Sequence, residues 1–559
     1  MAEVQPAVFG GRSKSPVRTS ILFGLALAVL HGYLASIYID HAPLYDEMYH
    51  MLAAESWRTS GELRILDGEY LRASLFTKMV GLNANICGPS LECARGISVA
   101  ASVLLVFLVT VFAGTVMHPA VGFVAGLLMA LNPAVIAASQ YVRFYSLHAL
   151  VFFVFAAILF TLVAYWRRMS IGQTLALASL AAVMFLFANH LQVLTQAGLL
   201  ALTLGAATIL APDIFRSLRR QTPWLALFWV AAILAVVALG LFAIDVEGKI
   251  HALRSAPGWA QGRAHEYFYY HHMLRGWYPA LWPAMAILAA LSIAQWPRPS
   301  LYFLVAFISS LVVLSIAATK AERFIVYSLP FLFIPMAAGI IVGIQLFIGF
   351  LEQRIKQLSG WRTGHPLIAP LLGAMALGSL MVFAITQPIA RDAARMVTST
   401  GSTKVFTGYR GVPDWPTAAD EIREAIKNYP VVLSSSGVRA AYYLGDFSFD
   451  LNSSVMLETD TGEEFGLDRR TGRQVVSSLD SILRIVHECG STLVIVEPPY
   501  YRHEDTLNAL DELTNRLMPA TNIWIWKIDP QDVDTSGATT GRAGAGSLNC
   551  RPVTLPRAR

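Results

Sequence analysis

The segment HAPLYDEMYHMLAAESW, residues 41–57, places two adjacent acids, Asp46 and Glu47, just after the first long apolar run of the chain. A carboxylate that is partly desolvated near a membrane is suited to act as a general base on a hydroxyl group. Asp40, at the end of the apolar run, is a second candidate for this role. A structural role is the alternative, because an Asp in this position can cap the helix that follows it.

Basic residues near other helix ends could bind an anion. They are Arg143 beside Tyr145 in VRFYSL, Lys320 and Arg323 together with Tyr327 in KAERFIVYSLP, and Arg72 and Lys78 in the loop after the first apolar run. Arg and Lys are the side chains that most often donate hydrogen bonds to phosphate. At the membrane surface, the set therefore suggests a phosphate carried on a lipid. For each residue alone, pairing with an acid or extension to lipid head groups is the alternative. A regular helix would not place Arg72 and Lys78 on one face.

Histidines supply a further set of candidates. The stretch RAHEYFYYHHM contains His265, Glu266, His271 and His272, but its spacing differs from the helical zinc motif. A divalent metal site and a surface segment with interfacial aromatic residues are the two interpretations. His190, in FANHLQVL, is a candidate for ligand contact. Because no P-loop, no Rossmann glycine motif and no Gly-x-Ser-x-Gly sequence occurs, we expect no nucleotide cofactor.

The elements that position these residues are membrane helices. The chain has 559 residues, of which 55% are hydrophobic and 14% charged, whereas soluble domains carry about 25% charged residues. Apolar runs long enough to cross a bilayer, which takes about 20 residues, recur along the chain. We predict a polytopic membrane protein with eleven spans, over residues 20–39, 96–117, 119–138, 145–165, 171–188, 191–211, 223–244, 279–295, 300–318, 324–348 and 367–387.

The distribution of Lys and Arg predicts the orientation of these spans. Basic residues cluster in alternate connections, for example at Arg167 and Arg168, and such loops face the cytoplasm. Residues 1–19 are then cytoplasmic, whereas the loops 40–95 and 245–278 and everything after the last span lie outside. The formal net charge of +5 follows from this spread and does not argue for nucleic acid binding.

The cysteines agree with this orientation. All four cysteines, at positions 87, 93, 489 and 550, fall on the predicted outer side, which fits an oxidising compartment. Cys87 and Cys93 flank a Gly-Pro turn in NICGPSLEC. The two interpretations of this pair are a local disulfide and two buried thiols.

The region after the last span predicts a small α/β domain. PVVLSSS, STLVIVEPP and TNIWIWKID have the composition of strands, whereas AADEIREAIKNY and SSLDSILRIVHEC have the spacing of amphipathic helices. Strands alternating with helices indicate an α/β domain, for which we take the bounds 391–534. Gly, Ala, Ser and Thr dominate the last residues, so we expect a disordered tail over 535–559.

Three short motifs in this order resemble the GT-C superfamily of membrane glycosyltransferases. YDEMYHMLAA is similar to the acidic element after the first span, VRFYSL to the element opening the fourth span, and KAERFIVYSLP to an element near the last spans. The likeness covers about residues 15–390, with a membrane domain over 20–390, and is greatest to protein O-mannosyltransferases and lipid A aminoarabinose transferases. Relatives often carry a proline in the first outer loop, but SLFTKMVGL has none, which leaves the role of Lys78 open.

The resemblance implies a reaction and roles for the candidates. Asp46, with Glu47 beside it, matches the catalytic acid, and Arg143, Lys320 and Arg323 match residues that bind the donor phosphate. The chain is then expected to move a sugar from a polyprenyl-phosphate donor to a lipid, glycan or protein acceptor, with inversion, on the periplasmic side of a bacterial inner membrane. Metal use varies in the superfamily, so the resemblance does not predict whether this chain uses a divalent metal. The alternatives are a lipid or polysaccharide transporter and a non-catalytic envelope assembly protein.

Overall fold

The computed structural model divides the chain into two units. It describes residues 16–37, 39–218, 254, 263–359, 378, 387–398, 413–451, 465–476, 478–498, 501, 504–517, 522–535 and 548–553. One unit, here the membrane unit, comprises residues 1–39, 95–140 and 144–406. The other, here the loop unit, comprises residues 40–94, 141–143 and 407–559. The first long loop and the C-terminal region therefore belong to one unit, although the membrane helices separate them in sequence.

The membrane unit is helical. With helices numbered in chain order through both units, it contains α1 (Pro16–Ser36), most of α4 (Leu91–Val116), α5 (Pro119–Ala130), α6 (Pro133–Ser139), α7 (Tyr145–Tyr165), α8 (Ile171–Leu191), α9 (Leu194–Leu218), α10 (Tyr269–Trp277), α11 (Met285–Gln295), α12 (Pro297–Ile316), α13 (Leu329–Ser359) and α14 (Pro388–Thr398). Among the described residues, seven helices are long and apolar enough to cross a membrane, or eight if the pair α5 and α6 forms one span. The chain is therefore a multi-pass membrane protein, as predicted.

The predicted number of eleven spans is not tested. The predicted span 223–244, and the predicted span 367–387 except for residues 378 and 387, lie outside the described residues. Helix α11 covers only the second part of the predicted span 279–295 and is too short to cross a bilayer by itself. Other helices, α8 and α9 among them, closely follow the bounds of the predicted spans 171–188 and 191–211.

The predicted span over residues 119–138 is divided between two helices. Helices α5 and α6 meet at an angle of 64°. Pro133 has no amide proton to continue the hydrogen-bond ladder, and it opens α6 instead. The side chain of Asn132 caps the new helix by accepting bonds from the amides of Ala134 and Val135. Its amide group also donates to the hydroxyl of Tyr278 at 2.9 Å, so the bend is anchored to a later part of the membrane unit.

The loop unit combines two helices with an α/β domain. Its elements are α2 (Tyr45–Ser60), β1 (Arg64–Ile65), β2 (Gly68–Glu69), α3 (Ser74–Cys87), α15 (Trp415–Ile426), β3 (Val431–Ser434), α16 (Gly437–Leu444), β4 (Phe449–Leu451), β5 (Gly466–Asp468), β6 (Arg473–Val476), α17 (Leu479–Cys489), β7 (Thr492–Val496), α18 (Glu504–Leu513), β8 (Trp524–Ile528) and α19 (Pro530–Thr535). The strands form a sheet of order β5-β6-β4-β3-β7-β8. Strands β3, β4, β6 and β7 are parallel, and β5 and β8 are antiparallel edges. The α/β domain is confirmed.

Hydrophobic cores cover both faces of this sheet. Phe449, Leu451 and Val494 belong to a core with the helix α17, whose apolar residues recur every three or four positions. Val432 and Ile495 point to the other face and pack with α15 and α16. Buried β-branched side chains on both faces are typical of central parallel strands, which explains why these strands were recognisable from sequence.

The first loop docks on the α/β domain through backbone contacts. The amide of Asp67, in the turn between β1 and β2, donates to the carbonyl of Thr471, and the amide of Glu69 donates to that of Arg469. Gly68 lies so close to this turn that an added Cβ would be 2.5 Å from the backbone nitrogen of Gly472. Only glycine fits such an approach, so the contact is specific to this pair of turns.

Two disulfides close loops in the loop unit. Cys87 is joined to Cys93, and Cys489 is joined to Cys550. Near the second disulfide, the amide of Val553 donates to the carbonyl of Pro430, and Arg551 pairs with Asp67 at 2.6 Å. The expected disorder over 535–559 was therefore wrong for residues 548–553, because a disulfide that the composition could not reveal fixes them. Residues 536–547 and 554–559 lie outside the described residues.

Candidate active site

Glu47 is a buried anchor at the start of α2. Its side chain is buried, and its Oε2 accepts a hydrogen bond of 2.7 Å from the amide of Leu44. Its Oε1 accepts a second bond of 2.7 Å from the amide of Val142. The first bond satisfies an amide at the helix N-terminus, and the second ties the helix to residues 141–143. Both carboxylate oxygens are therefore engaged by backbone groups.

Asp46 has a different environment. Its side chain is 41% exposed, and its Oδ1 lies 3.1 Å from Nη1 of Arg143. The same nitrogen of Arg143 also donates to the carbonyl oxygen of Asp46 at 3.2 Å. The Arg143 side chain is only 4% exposed, so a buried cation orients a carboxylate that solvent and a substrate can reach. Such an arrangement can hold a base in a fixed direction.

A buried histidine lies one turn further along α2. The Nδ1 of His50 is 2.8 Å from the hydroxyl of Thr77, and its Nε2 is 3.4 Å from the hydroxyl of Tyr70. Burial lowers the pKa of His50 well below its usual value, and the charges of Arg143 and Arg72 lower it further. The imidazole is therefore neutral at physiological pH. The sequence analysis did not identify His50, although its position four residues after Asp46 places both on one helix face.

The predicted cations of the membrane unit lie around the turn before α13. Lys320 is buried, and its ammonium group donates to the carbonyls of Ser315 and Ala317. Burial lowers its pKa, although the negative charge of Glu266 opposes this. The guanidinium carbon of Arg323 is 5.9 Å from the centre of the Tyr145 ring, a cation–π distance. Arg323 and Tyr145, which come from two different motifs, are therefore brought together.

The remaining candidates differ in exposure. Arg72 and Lys78 are exposed in the loop unit, and His190 and His265 are exposed in the membrane unit. Tyr327 is buried, and its ring packs against His148 with ring centres 5.6 Å apart. Within the part of the chain that the structure describes, no three His, Cys, Asp or Glu residues are grouped so as to hold a metal ion.

The fold is similar to that of solved membrane proteins. No protein-family model matches the sequence, and no curated protein is detectably similar to it. The crystal structure of apo ArnT from Cupriavidus metallidurans matches with a TM-score of 0.56 at 14% identity, covering 92% of this chain and 98% of its own. The structure of the same protein bound to undecaprenyl phosphate matches with a TM-score of 0.56 at 16% identity, covering 91% and 97%. At this identity the likeness shows the fold, and the chain has the GT-C fold predicted from its motifs.

Proposed function

We propose that this chain is a membrane glycosyltransferase that moves a sugar from a polyprenyl-phosphate donor to an acceptor, with inversion of the anomeric carbon. The observation that carries the proposal is the partly exposed carboxylate of Asp46, which the buried Arg143 orients at the start of α2. The GT-C fold supports the reaction class, and the undecaprenyl phosphate bound to ArnT from Cupriavidus metallidurans supports the donor carrier.

Asp46 serves as the general base in this proposal. It removes the proton from an acceptor hydroxyl or amine as that group attacks the anomeric carbon from the side opposite the phosphate. The bond between the anomeric carbon and the phosphate oxygen breaks, and its electron pair leaves with the polyprenyl phosphate. The proton on Asp46 then passes to water. A positioned base of this kind contributes roughly 10² to 10⁴ in rate.

Glu47 has a positioning role in the proposal rather than a role in proton transfer. Its two oxygens accept bonds from the amides of Leu44 and Val142, and proton uptake would weaken both bonds. By holding residues 141–143 against the helix start, Glu47 keeps Arg143 beside Asp46. In this proposal the two adjacent acids have separate tasks, Asp46 as the base and Glu47 as the anchor of the helix start.

The leaving phosphate needs positive charge as the bond breaks. Arg143, Lys320 and Arg323 are the proposed donors, each to be tested by itself. Arg323 is favoured over Lys320, because the Lys320 ammonium already donates to two backbone carbonyls. Arg72, Lys78, Tyr145, His190, His265 and Tyr327 stay proposed contacts of lower rank. A divalent metal is the alternative source of charge, and loss of activity with EDTA that Mg²⁺ or Mn²⁺ restores would support it.

The test is a transfer assay with purified protein in lipid nanodiscs. A panel of undecaprenyl-phosphate sugars would be supplied with candidate lipid, glycan and peptide acceptors, and mass spectrometry would follow the glycoside and the released undecaprenyl phosphate. We expect the two products to form in equal amounts with at least one donor. Movement of the lipid-linked sugar across a vesicle membrane without a new glycosidic product would support the transporter alternative instead. Failure to bind any polyprenyl phosphate would overturn the proposal.

A further inference from the structure

The helix that carries Asp46 is packed as part of the C-terminal α/β domain. Met48, Tyr49 and Ala53 of α2 form a buried cluster with Val438, which lies on α16 of that domain. Leu52, on the same helix, packs against the core formed by α15, α16 and the sheet. A helix from the first loop thus lies in the same layer as two helices that follow it by more than three hundred residues.

Alternation along β4 shows which sheet face α2 occupies. Phe449 and Leu451 point into the core with α17, so Asp450 between them points to the opposite face. Burial raises the pKa of the Tyr45 and Tyr49 hydroxyls, and nearby negative charge raises it further, from Asp450 for Tyr45 and from Asp468 for both. Because α2 packs against α16 and its Leu52 packs against the core of this second face, the helix lies on the same side of the sheet as Asp450.

Two arginines of the domain hold the tyrosines of α2. The guanidinium carbon of Arg470 is 5.1 Å from the centre of the Tyr49 ring, and its Nε is 3.1 Å from Oδ1 of Asp468. The guanidinium carbon of Arg439 is 5.6 Å from the centre of the Tyr45 ring. Tyr45 directly precedes Asp46, so these contacts act at the first turn of the helix.

The edge of the sheet where doubly wound domains bind ligands is filled by the domain itself. This edge lies beyond the carboxyl ends of the neighbouring strands β3 and β7. After β3 the chain adds β4 and β6 on one side, and it then returns to add β7 on the other side, so the strand order reverses between β3 and β7. Glu497, fully buried there, accepts from Nε1 of Trp415 at 2.6 Å and pairs with Arg439. Its amide donates to the hydroxyl of Ser435 at 2.8 Å. A connected set of contacts, two hydrogen-bonded pairs and one cation–π contact, therefore runs from Trp415 through Glu497 and Arg439 to Tyr45.

We infer that the C-terminal α/β domain positions the general base, with Arg439 and Arg470 as positioning residues that hold α2 through Tyr45 and Tyr49. The inference rests on the proposed function, in which Asp46 is the base. It gives the domain a task in the reaction without any contact to substrate. A displacement of about 1 Å at a reacting group can cost about a hundredfold in rate, so a firmly held helix start matters for turnover.

The test compares Arg470→Gln with Arg470→Lys and a matched control, Arg469→Gln. Arg470 is the better target because its side chain is 37% exposed, whereas Arg439 is buried with Glu497. The neighbouring Arg469 side chain is exposed, and the backbone carbonyl of Arg469, which the substitution keeps, accepts from the amide of Glu69 in the first loop. We expect Arg470→Gln to lower kcat about tenfold with an unchanged KM for the donor, Arg470→Lys to lower it less, and Arg469→Gln to leave it unchanged.

Hydrogen exchange supplies a measurement that does not depend on activity. Amides of residues 45–60 should exchange faster in Arg470→Gln than in the wild type, while amides of the membrane helices should not. Wild-type kcat and normal exchange of α2 in a folded Arg470→Gln protein would overturn the inference. If that variant does not fold, wild-type kcat in Arg470→Lys would overturn it instead. A wild-type protein without transferase activity would refute the proposed function, while faster exchange of α2 would still support the structural part.

Discussion

Glu47 and Asp46 show how the bonds of a carboxylate decide its task. Each carboxylate oxygen of Glu47 accepts a hydrogen bond from a backbone amide. Asp46 instead forms an ion pair with the buried Arg143 through one oxygen and stays partly exposed. A carboxylate bound on both sides stabilises the structure, and one that is oriented but accessible can exchange protons. At the scale of single residues, the account therefore predicts opposite phenotypes for two neighbours.

Replacing Glu47 by Gln should destabilise the start of α2. The Gln amide nitrogen cannot accept a bond from a backbone amide, so one of the buried amides of Leu44 and Val142 would lose its partner at a cost of about 1–3 kcal/mol. We expect the melting temperature of the purified protein to fall by several degrees. Glu55→Gln on the same helix is the matched control, since Glu55 forms a partly exposed pair with Arg58 and its replacement should have little effect. Equal melting temperatures for the two variants would contradict the anchoring role.

Asp450 should make stability depend on pH. Burial, together with the charge of Asp468, raises the pKa of this carboxyl to about 8, while Arg470 opposes the shift. The folded state thus holds a proton that the unfolded chain loses near pH 4, so the stabilising contribution is lost as the pH rises from about 4 through 8. We expect this group to lower the melting temperature between pH 5 and 8, and Asp450→Asn to reduce that fall.

The exposed Asp480 provides the control for this titration. Asp480→Asn should retain the wild-type pH dependence, because the Asp480 side chain already contacts water in the folded protein. If the melting temperature of Asp450→Asn fell with pH as steeply as that of the wild type, other groups would cause the fall, and the role of Asp450 would be refuted.

At the scale of elements, the disulfides fix the ends of the loop unit. The disulfide Cys489–Cys550 closes a loop with a sequence separation of 61, whereas Cys87–Cys93 closes one with a separation of 6. Loop-closure entropy predicts roughly 4 kcal/mol for the long loop and roughly 2 kcal/mol for the short one. The long loop also holds Arg551 near Asp67 of the first loop.

We therefore expect the double variant Cys489→Ser/Cys550→Ser to be less stable than Cys87→Ser/Cys93→Ser. Thermal melting of both variants without reductant, compared with the wild type with and without reductant, is the measurement. Hydrogen exchange near residues 64–69 should increase only in the first variant, because only that disulfide supports the contact between Arg551 and Asp67. A larger loss from the short loop would contradict the assignment.

Local sequence patterns made many elements predictable, but not the contacts that build the site. The strand Thr492–Val496 and the helix Leu479–Cys489 follow from β-branched residues and from helical spacing. The break at Asn132 and Pro133 also had a signal, which the apolar composition of the surrounding residues masked. Arg143 lies 97 positions from Asp46, and Arg473 lies 406 positions from its partner Asp67. Such pairs depend on the tertiary fold, which no local pattern records.

At the scale of the whole molecule, the proposed function requires one orientation of the chain in the membrane. The N-terminus is proposed to be cytoplasmic and the loop unit to face the oxidising compartment, which its two disulfides favour. An alkaline phosphatase fused to the C-terminus should be active. A green fluorescent protein fused there should not fluoresce, because the general export pathway would carry it across the membrane unfolded. The same reporters fused at the N-terminus should give the reverse. An active phosphatase only at the N-terminus would invert the topology and remove the donor site from the proposed side.

The central claim is that Asp46 is the base, and the direct measurement is donor turnover by Asp46→Asn beside Asp40→Asn. Asn keeps an oxygen for Arg143, so the variant should fold and bind the polyprenyl-phosphate donor as the wild type does. We predict that its kcat falls by roughly 10² to 10⁴, whereas Asp40→Asn, an equal change at an exposed acid six positions earlier, keeps wild-type turnover. Turnover of Asp46→Asn within a few fold of the wild type would contradict the account, and a collapse in Asp40→Asn would transfer the role there.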